Sequence, residues 1–317
     1  MMNERKKVLI AYDGSIYADA ALDDLRRAGL PREAEALIVT VSDALVSASA
    51  PIAEVAGAAL TSHRVTSAIA AAREQATRLL EEARGFAAEA SKRVLSYFPD
   101  WGVRTEVLEG SPSRELLRKA EEWQPDLVVV GSQGRSAWGR FFLGSVSKTL
   151  ATESRSSVRV VRRIAEKGDN EPPRIMIGVD GSPGAERAVR SVGRRVWPEG
   201  TEVRIVAVDD GVSPKRIAHI LPIAAGMIRD SNEEAAAKAR RMTEWAESEL
   251  RAIGLQVSVA IEKGEPQSIL IEEALKWGAD SIIVGSHGLD HLGEESGLGG
   301  VSTGLVTKAH CSVEVVR

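Results

Sequence analysis

Glycine and serine recur at fixed spacing where a loop could hold an anion. Gly131-Ser-Gln-Gly134 follows a Val-rich segment, and after a nine-residue spacer come Gly144-Ser145. Glycine admits positive φ and lets a backbone approach a phosphate with no Cβ in the way. Successive backbone N–H groups then form an anion-binding concavity. Ser145 opens an expected helix, Ser145–Thr152, whose first N–H groups and dipole favour a phosphate by roughly 0.3–1 kcal/mol. Its hydroxyl offers one more hydrogen bond. Arg135 and Arg140, in the spacer, could add charge-assisted contacts. A second candidate loop, Asp13-Gly14-Ser15, follows the first apolar segment. Neither loop is a P-loop, since the lysine is missing, nor a G-x-G-x-x-G dinucleotide fingerprint.

Both loops return later in the chain. Lys7–Ser15 (KVLIAYDGS) reappears as Arg174–Ser182 (RIMIGVDGS), and Glu109-Gly110-Ser111-Pro112 as Lys263-Gly264-Glu265-Pro266. Trp123–Gly134 reappears as Trp277–Gly288, and each half ends in a Val-rich segment, Val158–Val161 and Val313–Val316. The blocks keep their order, so a whole domain is duplicated. The expected domains are 1–164 and 173–317, with a polar linker at 165–172 that ends in a double proline.

These loops need strands to carry them. Val8–Tyr12, Leu37–Val41, Val103–Leu108, Leu127–Val130 and Val158–Val161 read as strands, several of them continuous apolar runs fit for burial on both faces. Helical patterns lie between them: an apolar stripe at Ala18, Ala21, Leu22, Leu25 and Ala28, and a helix entered through Ser111-Pro112-Ser113. One long helix is expected within Ser47–Tyr97, with Ser47–Ala59 as a loop. The alternation predicts an α/β fold: two tandem, doubly wound, five-stranded parallel sheets, Rossmann-like. In such sheets ligands sit beyond the carboxyl ends of the strands, where the strand order reverses.

The pattern G-x2-G-x9-G-S at 131–145, with Asp-Gly-Ser after the first strand and Ile38–Asp43 at the second, resembles the ATP-binding motif of universal stress proteins. The resemblance covers nearly the whole chain, twice. It implies an adenine nucleotide alpha hydrolase-like fold. Asp13 and Val41 would flank adenine and ribose, and Gly131, Gly134, Gly144, Ser145 and Val146 would wrap the phosphates of ATP, with Mg or Mn as the implied metal. It also implies pairing of the halves as a pseudo-dimer, or of whole chains as a homodimer, through the terminal strands, and a regulatory protein partner. The second half keeps Asp180, Val208, Gly285 and Gly288. Its spacer runs ten residues to Gly299, Gly300 replaces the serine, and Glu294 and Glu295 enter the loop. A weak second site at most is expected there, since like charge near a triphosphate is costly.

Net charge is −4, and the short basic clusters alternate with acidic residues, so no nucleic-acid partner is expected. No segment reads as a signal peptide or membrane span, and one cysteine, Cys311, suits a reducing compartment. The expected location is the cytoplasm of a prokaryote-like cell.

Other patterns read as structural. Gly300-Val-Ser302-Thr-Gly304 matches G-x-S-x-G, but it lacks the preceding strand and the partner order of a hydrolase. His287 and His291 sit among glycines rather than on one helix face. Cys311 is expected to be buried, Trp123 and Trp277 to pack, and Trp138, Phe141 and Phe142 to cover a nucleotide or meet another subunit. With no catalytic base or nucleophile in evidence, a nucleotide-binding regulatory module leads. A slow ATPase and a nucleotide-free interaction scaffold are the rivals.

Overall fold

The computed structural model describes residues 5–42, 62–135, 143–162, 171–209, 224–288 and 297–317, with side chains omitted over 62–68 and 224–235. Asp43, the expected loop Ser47–Ala59, Arg140 with Trp138, Phe141 and Phe142, linker positions 165–170, and His291, Gly293, Glu294 and Glu295 lie outside the described residues. The chain divides into two compact units, one of residues 1–26 and 31–158, the other of 27–30 and 159–317, so the division falls inside the fifth strand.

The first half runs β1 (Lys6–Ala11), α1 (Ile16–Asp24), β2 (Ala34–Ser42), α2 (Ser62–Tyr97), β3 (Gly102–Glu109), α3 (Pro112–Trp123), β4 (Leu127–Gly131), α4 (Ser145–Glu153) and β5 (Ser157–Val161). Its strand order is β3-β2-β1-β4-β5, and β1 lies parallel to both β2 and β4. Every residue of β4 is buried, which is why it reads as an unbroken apolar run rather than an alternating one. Helix α2 packs on β2 and β3 and touches α1, whereas α3 packs on β2 and touches α4. The sheet is thus covered by two pairs of helices, as a doubly wound fold requires.

The second half repeats this plan: β6 (Arg174–Val179), α5 (Pro183–Gly193), β7 (Glu202–Asp209), α6 (Ala224–Ala252), β8 (Gln256–Lys263), α7 (Pro266–Trp277), β9 (Ser281–Gly285), α8 (Gly300–Lys308) and β10 (Ser312–Val316). The order is β10-β9-β6-β7-β8, parallel at each of these pairings. Its core joins Ile175 and Ile177 of β6, Val203 and Ile205 of β7 and Ile283 of β9 to Ala188 of α5 and Leu250 of α6.

The repeated residues have matching jobs. Asp126, just before β4, accepts the Lys7 backbone N–H at 2.7 Å, and Asp280, just before β9, accepts that of Arg174 at 2.8 Å. Each aspartate ties the entry of one strand to the next. Trp123 and Trp277 are half-buried, with Arg104 of β3 and Arg204 of β7 each 5.9 Å from the ring centroid. They pack as expected, under a strand cation. Cys311 is buried.

One repeated position is filled less well. Gly278 ends α7 at φ 69°, while its counterpart Gln124 ends α3 at φ 49° with a side chain exposed to solvent. A left-handed C-terminal residue favours glycine because a Cβ is strained there. Gln124→Gly is therefore expected to stabilise the chain by about 0.5–1 kcal/mol, measured as a raised urea midpoint. An unchanged or lowered midpoint would mean that this strain is absorbed elsewhere.

Candidate functional site

The strand order reverses between β1 and β4, and there, beyond the carboxyl ends of the strands, lies a cleft of about 580 Å³. Asp13, Val41, Gly131, Gly134, Arg135, Gly144, Ser145 and Val146 all line it. The eight residues singled out in the first half come from four separate segments of chain, and the fold brings them to one place.

Asp13 organises the loops. Its Oδ1 accepts the Ser15 N–H at 3.0 Å, closing a turn in which Gly14 takes φ 75°, and its Oδ2 accepts the Arg135 N–H at 3.2 Å. Ser15 then caps α1, accepting the Ala18 N–H at 3.1 Å. The turn reading of Asp-Gly-Ser and its placement in the cleft therefore hold together. Gly134 leaves room for this clip, since a Cβ there would lie 2.9 Å from Asp13 Oδ2.

Gly131 is pressed against α1: a Cβ would stand 2.7 Å from the Tyr17 carbonyl carbon and oxygen. Its own carbonyl accepts the Ser147 hydroxyl at 2.7 Å. Gly144 donates its N–H to the Ser132 carbonyl at 2.8 Å and stands at the N-cap of α4 with no side chain to cap it. The N–H groups of Ser145, Val146 and Ser147 have no intrahelical acceptor at that end. The first turn of α4 thus faces the cleft with unmatched donors and the positive end of its dipole.

Apolar lining comes from Val39 and Val41 of β2, Leu79, Ala83 and Phe86 of α2 and Leu116 of α3. Phe86 lies over the turn, 2.6 Å from where a Cβ on Gly14 would be. The Arg135 guanidinium stands 5.1 Å from the Phe86 centroid and pairs with Glu82 at 2.6 Å. Tyr12, also in the lining, donates to Asp19 Oδ1 at 2.7 Å. Burial first, then that bond, raises its pKa, so it remains a neutral phenol. Among the described residues no group of three or more His, Cys, Asp or Glu could hold a metal.

Sequence reasoning did not find Glu82 and Phe86. They sit within a long Ala-rich helix that carries no motif, and only the i,i+4 relation of these two residues marks a face. Ser111 and Ser113, at the expected helix start, also line the cleft.

The second half keeps the skeleton and changes residues at the positions equivalent to the cleft lining. Asp180 Oδ1 accepts the Ser182 N–H at 2.9 Å, a Cβ on Gly288 would lie 2.5 Å from Asp180 Oδ2, and Gly299 donates to the Ser286 carbonyl at 2.8 Å. Val208 is half-buried near the end of β7, and Gly300 opens α8. Ser302 is buried and donates to the Gly285 carbonyl at 2.8 Å, the counterpart of Ser147 rather than an exposed nucleophile. His287 is half-buried, 3.1 Å from the Ser286 hydroxyl.

Four chemical differences stand out. Gly300 supplies no hydroxyl where Ser145 does. Lys238, not an aromatic ring, lies over Gly181, 2.8 Å from a Cβ position there. Asp209 ends β7 where Ser42 ends β2. Glu265 precedes α7 where Ser111 precedes α3, accepting the N–H groups of Gln267 and Ser268 at 3.1 and 2.7 Å. Hydrogen bonds from Ser268 foremost hold the Glu265 carboxyl below its usual pKa, so it stays charged.

The model of the universal stress protein family matches residues 4–162 and again 172–317. A universal stress protein of Mycolicibacterium smegmatis is 30% identical over 217 residues, 68% of this chain and 69% of that protein. Universal stress protein YxiE of Bacillus subtilis is 29% identical over 158 residues, 49% of this chain and 98% of that protein. Among solved structures, a universal stress protein from Archaeoglobus fulgidus shares the fold, with a TM-score of 0.57 over 98% of both chains at 18% identity. The chain belongs to the universal stress protein family and carries two tandem copies of its domain. No described helix is long and apolar enough to cross a membrane.

Proposed function

We propose that the cleft of the first half binds an adenine nucleotide, ATP foremost, and that occupancy serves as a regulatory signal read by a protein partner. The observation that carries this is the convergence of the eight residues on a cleft of about 580 Å³ at the reversal point of the sheet. A volume of that order suits a small-molecule ligand. The lining has two characters that match the two ends of a nucleotide. Val39, Val41, Leu79 and Leu116 offer apolar walls for a base. The uncapped first turn of α4, the Ser145 hydroxyl and Arg135 offer donors for phosphates. Without a carboxylate cluster among the described residues, magnesium or manganese would arrive on the phosphates.

The second half is proposed to bind nucleotide weakly or not at all. Asp209 and Glu265 place carboxylates where the first half has hydroxyls, and Gly300 removes the serine.

Calorimetric titration of the full chain with ATP and magnesium tests both statements. One site per chain is expected. Two sites of similar affinity would overturn the reading of the second half, and no binding would overturn the nucleotide reading.

A further inference from the structure

We propose that Glu82 and Arg135 form an exchangeable ion pair in the wall of the first-half cleft. An incoming phosphate takes the guanidinium from Glu82, and the exchange sets the preference for polyphosphate over bare nucleoside. This rests on the nucleotide reading above.

Arg135 is held in two separable ways. Its backbone N–H is fixed on Asp13 Oδ2 at 3.2 Å, so the residue stays at the cleft whatever its side chain does. Its side chain pairs with Glu82 at 2.6 Å and lies over Phe86 at 5.1 Å. Both partners are on α2, four residues apart, and both line the cleft with Arg135. Phe86 supports the flat guanidinium by cation–π attraction without occupying its hydrogen-bonding edge. Glu82 does occupy that edge.

The pair is poised for exchange because it is weak. Arg135 and Glu82 side chains are 54% and 40% exposed, so water screens their attraction. A phosphate presents more charge and more acceptor oxygens to the same planar fork. Glu82 is itself an anion at the cleft wall, but it is exposed enough for water to screen its direct repulsion of a phosphate, so its hold on Arg135 is the larger effect. A carboxylate there lowers affinity for any anionic ligand and leaves a neutral nucleoside nearly untouched. Glu82 is thus a specificity-determining residue that acts through Arg135.

Calorimetry on the full chain tests this, with ATP, adenosine and inorganic tripolyphosphate as separate probes at one fixed ionic strength. The proteins are wild type, Glu82→Gln, Arg135→Gln and the double variant, with Glu82→Ala as a second removal of the carboxylate. Removing the Glu82 charge is expected to tighten ATP about three- to tenfold and to move adenosine less than about twofold. Arg135→Gln should weaken ATP about tenfold, and on that background Glu82→Gln should recover less than about twofold, because the two residues act as one unit. The proposal falls if both Glu82 variants leave ATP affinity unchanged or reduce it, if adenosine gains as much as ATP, or if the gain persists without Arg135. If wild type binds neither ATP nor adenosine, yet tripolyphosphate binds more tightly without the Glu82 charge, the exchange stands and the nucleotide reading falls. If none of the three probes binds, both fall.

Discussion

Gly144→Asp is expected to reduce ATP affinity at least about 100-fold while the melting temperature stays within about 2 °C of wild type. The two readouts separate because of where Gly144 stands. Its φ of −63° and ψ of 151° are open to any residue, and the nearest atom to an added Cβ is the Ser132 carbonyl oxygen at 3.3 Å. Aspartate is also a favoured N-cap, so its carboxylate would take the unmatched N–H groups of the first turn of α4. The fold gains a cap as the cleft gains a negative charge on the donors meant for phosphate. Titration calorimetry and a thermal melt on the same preparation check this. Unchanged ATP affinity would place the phosphates away from α4. Gly144→Asn, a cap without charge, should lose less binding than the aspartate and so separate occupancy of the donors from repulsion.

Gly131→Ala should behave in the opposite way, destabilising the first half by about 2–4 kcal/mol. The added methyl would stand 2.7 Å from the Tyr17 carbonyl group, which is helix backbone and cannot rotate aside as a side chain can. Gly285→Ala in the second half should cost a similar amount, since its Cβ would lie 2.4 Å from the Gly184 carbonyl carbon. Urea denaturation, followed by hydrogen exchange at β4 and β9, measures each. Matched losses in the two halves would establish that this glycine serves packing, whatever the ligand. If Gly131→Ala proved harmless to stability but lethal to binding, Gly131 would be a ligand contact first. The motif glycines are thus of two kinds, and Gly144 is the cleaner probe of binding.

The sequence made the alternation of strands and helices legible because buried parallel strands such as Leu127–Gly131 are unbroken apolar runs. The repeat made the duplication legible. Spacing pointed to Gly131, Gly134, Gly144 and Ser145, which all line the cleft, since a loop that other atoms approach closely is written in small residues. Strand limits fall short of the observed ones by up to three residues, as at β2, where Ala34, Glu35 and Ala36 precede Leu37 and Ser42 follows Val41. The contributions of α2 were not legible. Glu82 and Phe86 reach the cleft through the way a long helix lies on the sheet, and nothing local in an Ala-rich segment reports that. The exchange of Ser111 for Glu265 was visible in the repeat. Its bearing on the site needed the fold, which puts the turn after β3 beside the turn after β4.

In both halves a buried serine hydroxyl holds the carbonyl of the strand-ending glycine, Ser147 on Gly131 and Ser302 on Gly285, at 2.7 and 2.8 Å. The Asp-Gly-Ser turns match just as closely. The residues that differ between the halves are therefore not the ones whose hydrogen bonds keep the shape. Mutation can rewrite the positions equivalent to the first-half cleft wall, as at Gly300, Lys238, Asp209 and Glu265, and leave a folded domain behind. Doubling the domain relaxes the demand on one copy to bind, but not the demand on either copy to fold.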